Sequence, residues 1–268
     1  MVGKITSNEI TESSGITQSR CSKNVFWTHN DSGNAGLIFA LNEKGEKLST
    51  WKVSGAKSVD WEDIASARDE NGNCLLFIGD IGNNARTRGE LTIYKIREPK
   101  VADSDRSSGE SNPKITEKAI AISVSYPDFR HNAETLLVHP KTLDLYILTK
   151  RISGASGVYK LSVNELKEKN VMQKIADFSV PALPNGLLTG GEISSDGRRV
   201  ILCDYYNGYE IELPKNALNF DDIWKAEPSI IELGKREQGE AICYSLDMNS
   251  VFATSEKKNS PFIKVTRK

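Results

Sequence analysis

The chain has 268 residues, of which 38% are hydrophobic and 26% are charged, so it contains enough apolar material for a full core. Its 35 basic residues nearly balance its 36 acidic residues, and the formal net charge is -1. This balance argues against the strongly basic surface with which proteins bind nucleic acids or anionic membranes. We therefore expect neither kind of partner.

Targeting signals are also missing from the sequence. No apolar run reaches the roughly 18 residues of a membrane-spanning helix, and residues 1–15 lack the apolar centre of a secretory signal. We therefore expect a cytoplasmic monomer. A secreted protein from which a signal peptide had been removed would have the same sequence.

The four cysteines show no spacing that is typical of a metal site, because there is no CxxC pair and no Cys/His cluster. Cys74, Cys203 and Cys243 lie inside apolar, strand-like runs, and Cys21 lies beside a turn. This placement predicts buried free thiols rather than zinc ligands or a disulfide framework.

In chain order, the predicted elements are one strand over residues 3–10 and then five copies of a repeated unit. Each unit has a polar residue, a short apolar run, a turn, a second apolar run with a polar end, and a third run. The first four units continue with a fourth run, whereas the fifth unit ends after its third run at residues 262–265. The pattern is clearest at residues 59–84, where a Gly/Asn-rich turn joins two apolar runs.

Repeats of this length, built from four short strands, are typical of β-propellers. The sequence therefore predicts an all-β fold over residues 1–268: a single-domain, five-bladed propeller with four-stranded antiparallel blades. Residues 3–10 would supply the missing fourth strand of the last blade and so close the ring. A six-bladed propeller is the alternative.

Residues 99–113 are the one low-complexity stretch, rich in serine and bounded by prolines. They predict a flexible, solvated excursion between the third and fourth strands of the second blade. A lid over the functional face is the alternative.

Two sets of polar positions recur at the same phase of the repeat. The first set consists of Ser14, Glu62, Glu134, Glu192 and Glu240. The second set, at the ends of the second strands, consists of Asn30, Asp80, Lys150, Asp204 and Glu256. Equal phase in a repeat fold means equal radius and height, so we expect both sets to meet at one mouth of the channel as an acidic pocket.

Four glutamates around one channel repel one another unless protons or a cation neutralise them. Oxygen ligands without clustered His or Cys favour a hard ion, so we predict calcium, or alternatively magnesium, at Glu62, Glu134, Glu192 and Glu240. Lys150 is an organic alternative, because its ammonium group lies in the second set and could neutralise two carboxylates without any metal. In a purely structural alternative, the glutamates bond to backbone N–H groups and channel water.

Other residues around this pocket are candidates for chemistry or for ligand contacts. The candidate catalytic residues are Glu62, Glu134, Asp80, His29 and His131. The candidate ligand-binding residues are Asn30, Asp60, Lys150, Asp204 and Glu256. Each histidine could equally be a non-catalytic polar contact in its loop. Because GxxxxGK[ST], GxSxG and HExxH are all missing, neither nucleotide-driven nor serine-hydrolase chemistry is supported.

The phrases WTHNDSG, DWEDIA, FIGDIGNN, NAETLLVHPKTLDLYILTK and GEAICY resemble a group of uncharacterised bacterial β-propeller proteins over nearly the whole chain. More remotely, the polar residues at the blade starts are similar to those of calcium-dependent lactonase and paraoxonase-like propellers. Those families place Glu, Asn and Asp around a channel metal, which the resemblance implies for Glu62, Glu134, Glu192 and Glu240.

Two classes of function follow from the sequence. The first is a divalent-metal-dependent hydrolase of a small ester, lactone or sugar that acts at the acidic channel mouth. The second is a non-catalytic propeller that binds a small molecule or a protein on its polar face. Fold alone does not separate the two, so whether the protein is an enzyme stays open.

Overall fold

The computed structural model describes residues 1–33 and 35–267 and shows a five-bladed β-propeller. Each blade contains four antiparallel strands, ordered outward from a central channel, and two blades gain a fifth strand at the outer edge. The prediction of five four-stranded blades is confirmed, and the six-bladed alternative is wrong.

The strands of the blades follow chain order. Blade 1 contains β2 (Ser13–Gln18), β3 (Phe26–Asn30), β4 (Leu37–Leu41) and β5 (Lys47–Lys52). Blade 2 contains β6 (Trp61–Arg68), β7 (Cys74–Asp80), β8 (Leu91–Arg97) and β10 (Ile120–Ser125). Blade 3 contains β11 (Ala133–Val138), β12 (Leu145–Thr149), β13 (Ser156–Leu161) and β15 (Gln173–Phe178). Blade 4 contains β16 (Gly190–Ile193), β17 (Arg199–Cys203), β18 (Asn207–Glu212) and β19 (Ser229–Glu232). Blade 5 contains β20 (Gly239–Tyr244), β21 (Ser250–Ser255), β22 (Pro261–Thr266) and β1 (Gly3–Lys4).

The core consists of five apolar clusters, one between each pair of neighbouring blades. Side chains alternate between the two faces of a strand. On β7, Leu76 and Ile78 therefore pack against blade 1, whereas Leu75 and Phe77 pack against blade 3. Both faces of the blade are covered, which explains why its strands are nearly continuous apolar runs rather than alternating ones.

The N-terminal segment closes the ring as predicted. β1 pairs antiparallel with β22, with Gly3 opposite Phe262, and completes blade 5. Ile5 and Ile10 are at most 1% exposed and belong to the cluster between blades 5 and 1. The first and last strands of the chain thus share one sheet.

Residues 99–113 are attached to the outer edge of blade 1 through the buried residues Asp105 and Ser108, whereas most of the other side chains are exposed. They contain a short 3-10 helix, Asp103–Ser107, and lead into β9 (Lys114–Ile115), which adds to the outer edge of β5 in parallel. The Ser108 hydroxyl accepts a hydrogen bond from the backbone N–H of Thr50 at 2.8 Å. The segment is therefore attached to blade 1, and its predicted flexibility stays a prediction. The segment covers an outer strand edge and not the channel mouth, so the lid alternative gains no support.

A second added strand covers blade 2. β14 (Asn170–Val171) comes from the connection within blade 3 and pairs in parallel with β10. The remaining 3-10 helices of the described residues are Val163–Glu165 and Phe220–Lys225, and no helix there is long and apolar enough to cross a membrane.

The cysteine prediction was half wrong. Cys203 and Cys243 are buried free thiols as expected. Cys21 and Cys74, however, form a disulfide bond with their Cα atoms 5.9 Å apart. The turn that follows β2 brings Cys21 beside the first residue of β7, a contact between blades that sequence spacing does not reveal.

Candidate functional site

β-Bulges at the start of the innermost strands direct polar side chains into one mouth of the channel. In blades 1, 2 and 3 the pairing of the first two strands skips one residue, and these residues are Ser14, Glu62 and Glu134. In blade 5 the pairing skips residues 240 and 241, and the first of these is Glu240. A bulge leaves its extra residue unpaired and re-aims the side chain. The structure therefore brings together three of the four predicted glutamates.

Glu192 does not lie with the other three. In blade 4, Gly190 pairs with Cys203. Thr189 precedes Gly190, and its N–H donates to the Cys203 carbonyl at 2.9 Å. Thr189 therefore has the position that Glu62 has in blade 2. Glu192 comes three residues later on β16, which is about 10 Å deeper in the channel at the rise of a strand. The predicted alignment was wrong because the Gly-Glu-Ile sequence of blade 4 is similar to that of the other blades but occupies a different position in the strand pairing.

At that depth Glu192 has its own partners. Its carboxylate accepts hydrogen bonds from the Thr17 hydroxyl at 2.6 Å and from the backbone N–H of Tyr244 at 2.7 Å. The Arg20 guanidinium lies 3.8 Å away. Glu192 therefore ties blade 4 to blades 1 and 5 and takes no part in the mouth.

A second ring of polar side chains comes from the residue directly after the second strand of a blade. Asp31, Lys150 and Glu256 share this position, because each donates its backbone N–H to the residue that precedes the first strand of the same blade. The accepting carbonyl groups belong to Glu12, Asn132 and Gln238, at 3.3, 3.0 and 2.9 Å. The sequence prediction missed Asp31, because Asn30 was aligned with Lys150. Counting from the strand pairing instead of from the polar tip would have found it.

Asn30, Asp80 and Asp204 anchor loops and do not point toward a shared site. Their side chains accept hydrogen bonds from two backbone N–H groups each, at 2.7 to 3.2 Å. Asp80 also forms an ion pair with Arg88 at 2.7 Å. This geometry gives no support to the predicted catalytic role of Asp80 or to ligand contacts of Asn30 and Asp204.

Asp31, Asp60 and Glu62 form a cluster that could hold a cation. One carboxylate oxygen from each of them lies within 4.8 Å of the other two. Glu62 is only 4% exposed, and among residues 1–33 and 35–267 nothing donates a hydrogen bond to its carboxylate or forms an ion pair with it. Burial, and then repulsion by Glu134 and the other two carboxylates, raises the pKa of Glu62 well above its usual value. A carboxylate in this position requires a proton or a cation.

Gly82 makes this cluster possible. Its N–H donates to the Asp60 carbonyl at 3.1 Å, so the backbone after β7 passes directly over the carboxylates. A β carbon at this position would lie 2.1 Å from Glu62 Oε1 and 2.4 Å from Asp60 Oδ2. A residue with a side chain would therefore displace two of the three candidate ligands. The sequence prediction did not identify Gly82, since glycine is also common in turns.

Glu240 and Glu256 form a carboxyl pair on blade 5, in the same mouth. Burial, followed by repulsion from Glu134, raises the pKa of Glu240 to about 9, so this group holds a proton at neutral pH. Burial and repulsion from Asp31 also raise the pKa of Glu256, whereas a hydrogen bond with Glu240 lowers it. Two coupled carboxyl groups that share one proton can both donate and accept a proton.

Lys150 interacts electrostatically with both groups, since its charge lowers the pKa of Glu62 and of Glu240. Its ammonium forms an ion pair with Glu134, donates to the Tyr205 hydroxyl at 2.8 Å and lies 4.8 Å from the centroid of the Tyr205 ring. Burial raises the pKa of Glu134, and the Lys150 charge opposes this shift. Lys150 thus forms an ion pair with one carboxylate, whereas the organic alternative had it neutralise two.

The electrostatic balance of the mouth is strongly negative. The Lys150 charge lowers the pKa of five of the six carboxyl groups, and the Arg88 charge lowers that of Asp60. The six groups are Asp31, Asp60, Glu62, Glu134, Glu240 and Glu256. Burial is the largest cause of the raised pKa of every one of them. The mouth must therefore bind cations or hold protons. The expected calcium or magnesium ion stays a prediction.

The two candidate histidines lie away from the mouth. His29 is fully buried, its ring lies edge-on to Trp61 with centroids 5.8 Å apart, and burial lowers its pKa to about 4. His131 Nε2 lies 3.0 Å from Asp128 Oδ1 and 2.9 Å from the Tyr159 hydroxyl. Neither ring contacts the six carboxyl groups, so neither is placed to act as their general base.

Comparison with known proteins identifies no family. No protein-family model matches the chain, and no curated protein sequence matches it. Among solved structures, the chain is similar to Kuenenia stuttgartiensis hydrazine synthase, with 10% identity and a TM-score of 0.46 over 95% of this chain and 71% of that chain. A likeness this weak carries no argument about function.

Proposed function

We propose that the protein binds a divalent cation, calcium first and magnesium second, at Asp31, Asp60 and Glu62, and uses it to hydrolyse a small ester or lactone. The observation that carries the proposal is Glu62, a buried carboxylate without a protein partner in the described residues that lies within reach of two further carboxylates. Hard, oxygen-only ligand sets suit calcium and magnesium.

The residues around the candidate cation site offer the groups that hydrolysis requires. A cation bound there would polarise a substrate carbonyl and lower the pKa of a bound water. The carboxyl pair Glu240 and Glu256 can take a proton from the attacking water and return it to the leaving group. Lys150 and the Tyr205 hydroxyl are hydrogen-bond donors for an oxyanion.

Calorimetric titration of the metal-free protein with calcium, and separately with magnesium, tests the cation site. We expect binding by the wild type, and at least a tenfold loss of affinity in Glu62→Gln because a charged ligand is lost. Glu192→Gln is the matched control, since Glu192 is an equally buried glutamate on an innermost strand outside the mouth. Bound calcium should also stabilise the fold by about 2.7 kcal/mol at a hundredfold excess over Kd. Failure of both ions to bind would overturn the proposal.

The hydrolytic step needs a separate test. Wild-type protein with calcium should release product from phenyl acetate or a γ-lactone, and chelation of calcium should abolish this release. We expect Glu240→Gln to lower kcat by about 10² to 10⁴ while calcium affinity is retained, as for the loss of an acid–base group. Calcium binding without turnover of any ester or lactone would favour the non-catalytic ligand-binding alternative.

We also propose that the protein functions in an oxidising compartment. The support is the Cys21–Cys74 disulfide bond, because disulfides persist outside the reducing cytoplasm and are rare within it. Protein isolated in denaturant with an alkylating agent should carry two alkylated cysteines per chain by mass spectrometry, Cys203 and Cys243, which are the free thiols. Four free thiols would restore the cytoplasmic expectation.

A further inference from the structure

A cavity of about 680 Å³ opens beside the acidic mouth, between the loops of blades 2, 3 and 4. Lys150 and Tyr205 belong to its wall and also to the mouth, so the two spaces are adjacent. This volume lies within the range of about 300 to 1,000 Å³ that is typical of small-molecule sites.

The wall of the cavity carries positive charge that the protein itself does not neutralise. Arg86 and Arg151 line the cavity, and within residues 1–33 and 35–267 neither guanidinium forms an ion pair or a side-chain hydrogen bond. Arg88, two residues from Arg86, differs: it pairs with Asp80 at 2.7 Å and donates to the Gly82 carbonyl at 2.7 Å. The cavity wall thus carries two unpaired positive charges, whereas the neighbouring mouth is lined by carboxyl groups.

The backbone fixes the Cα positions of both arginines, whose side chains are exposed. The Arg151 N–H donates to the Gly186 carbonyl at 2.7 Å, and the two residues form an isolated β-bridge between the loops. A β carbon on Gly186 would lie 2.4 Å from the Gly154 carbonyl oxygen, so this close contact depends on glycine. Arg86 has a φ of 53°, a left-handed conformation that residues with a β carbon rarely adopt. Such conformations persist where the surrounding structure imposes them, often at ligand sites.

The rest of the wall combines apolar and amide groups. Ile152 is 81% exposed and, together with Leu187, gives the cavity an apolar side. Asn84 and Asn132 face the same space and are joined by a hydrogen bond of 2.9 Å. The combination suits a small molecule with an anionic end and an apolar body.

We propose that this cavity binds the anionic group of the substrate, a carboxylate or phosphate held by Arg86 and Arg151. A guanidinium binds either group through two parallel hydrogen bonds. The assignment to a substrate rests on the proposed hydrolytic function, whereas binding of the anion does not. The substrate would then be a small anionic ester or lactone, with its anionic end in the cavity and its carbonyl at the mouth.

Calorimetric titration with three probes tests the cavity: phenyl phosphate, benzoate and the neutral benzyl alcohol. We expect at least one anion to bind the calcium-loaded wild type at least tenfold more tightly than benzyl alcohol binds. The double variant Arg86→Gln/Arg151→Gln should bind that anion at least tenfold more weakly, since each charge-assisted hydrogen bond contributes about a tenfold factor or more. Arg106→Gln is the control, because Arg106 is exposed and pairs with Asp103 in the 3-10 helix Asp103–Ser107.

The arms of the experiment separate the possible outcomes. Tighter binding of phenyl phosphate indicates a phosphate ligand, and tighter binding of benzoate indicates a carboxylate. Equal affinity for the anions and benzyl alcohol, or an unchanged affinity in the double variant, would overturn the inference. Calcium affinity measured in the same double variant should equal that of the wild type. If the wild type binds the anion but not calcium, the cavity assignment stands and only the proposed metal function fails.

Discussion

At the scale of single residues, the mouth depends on a glycine as much as on its carboxylates. In Gly82→Ala the new β carbon would lie 2.1 Å from Glu62 Oε1 and 2.4 Å from Asp60 Oδ2, so both side chains must move. We expect calcium affinity to fall at least tenfold, and stability to fall by about 1 to 3 kcal/mol, the usual cost of overpacking. Gly89→Ala in the same loop is the control, because its nearest neighbour would be an Arg130 side-chain atom at 3.6 Å. Calorimetry that shows normal calcium binding in Gly82→Ala would contradict the assigned ligands.

His29 provides a pH test at the same scale. Burial lowers its pKa from 6.5 to about 4, so the unfolded chain takes up a proton before the folded chain does. The contribution of His29 to stability is therefore complete above pH 6.5 and is lost as the pH falls toward 4, by up to about 3 kcal/mol.

Urea unfolding of the wild type and of His29→Gln, at pH 7 and pH 5 without calcium, measures this contribution. The wild type should lose more stability than the variant between the two pH values. His131→Gln, which removes a half-buried histidine that pairs with Asp128, should lose at least as much stability as the wild type. Equal pH dependence of the wild type and His29→Gln would show that the buried ring does not control this loss. Comparing differences in this way cancels the opposite contribution of the carboxyl groups, whose raised pKa values favour folding at lower pH.

The residue scale also shows where sequence reasoning stops. Glu62, Glu134 and Glu240 could be predicted because bulges at equivalent positions follow similar phrases in three blades. Blade 4 has the same phrase three residues out of register, so Glu192 was placed in the mouth although Thr189 occupies that position. Asp31 was missed for a related reason. The polar loop after β3 does not show from sequence alone that Asn30 is the last paired residue and Asp31 the first one after it. Register is a property of strand pairing, and a one-residue error reverses the direction of a side chain.

At the scale of elements, the Cys21–Cys74 disulfide links the turn after β2 to the start of β7, across a separation of 53 residues. Closing a loop of this length stabilises a fold by about 4 kcal/mol if the effect lies in the unfolded chain. We expect Cys21→Ala/Cys74→Ala to unfold at lower urea concentration than the wild type, by about that free energy. Dithiothreitol should destabilise the wild type toward the variant and leave the variant unchanged. If dithiothreitol has the same effect on both proteins, the bond does not contribute as assigned.

Sequence patterns predicted the main strands but not the added ones. Five units of four strands were visible because strands covered on both faces give long apolar runs. β9 and β14 contain two residues each and expose Ile115 by 59% and Val171 by 65%. Such short, exposed segments have no periodicity, and only the outer edges of blades 1 and 2 determine where they pair. The attachment of residues 99–113 to blade 1 was missed for the same reason.

At the scale of the whole molecule, every blade is held by its two neighbours and none is complete alone. The apolar clusters lie between blades, and buried polar groups connect the same elements: Asp63 accepts the Leu136 N–H at 2.9 Å, and Glu192 accepts the Tyr244 N–H. A break at any interface therefore exposes two apolar blade faces. The position of the six carboxyl groups relative to one another depends on this closed ring, since they come from blades 1, 2, 3 and 5.

The closure of the ring can be tested by removing residues 1–10. The deletion removes β1 from the edge of β22 and takes Ile5 and Ile10 out of the cluster between blades 5 and 1. Burial of two isoleucine side chains contributes about 3 to 6 kcal/mol, and the uncovered strand edge invites pairing with another chain. We expect a lower melting temperature and, in size-exclusion chromatography, higher oligomers instead of a monomer. Deletion of residues 1–2 is the control, because Met1 and Val2 are exposed by 74% and 44%. A shortened chain that stays monomeric and melts like the wild type would show that blade 5 is stable with three strands, and that the N-terminal strand does not close the ring.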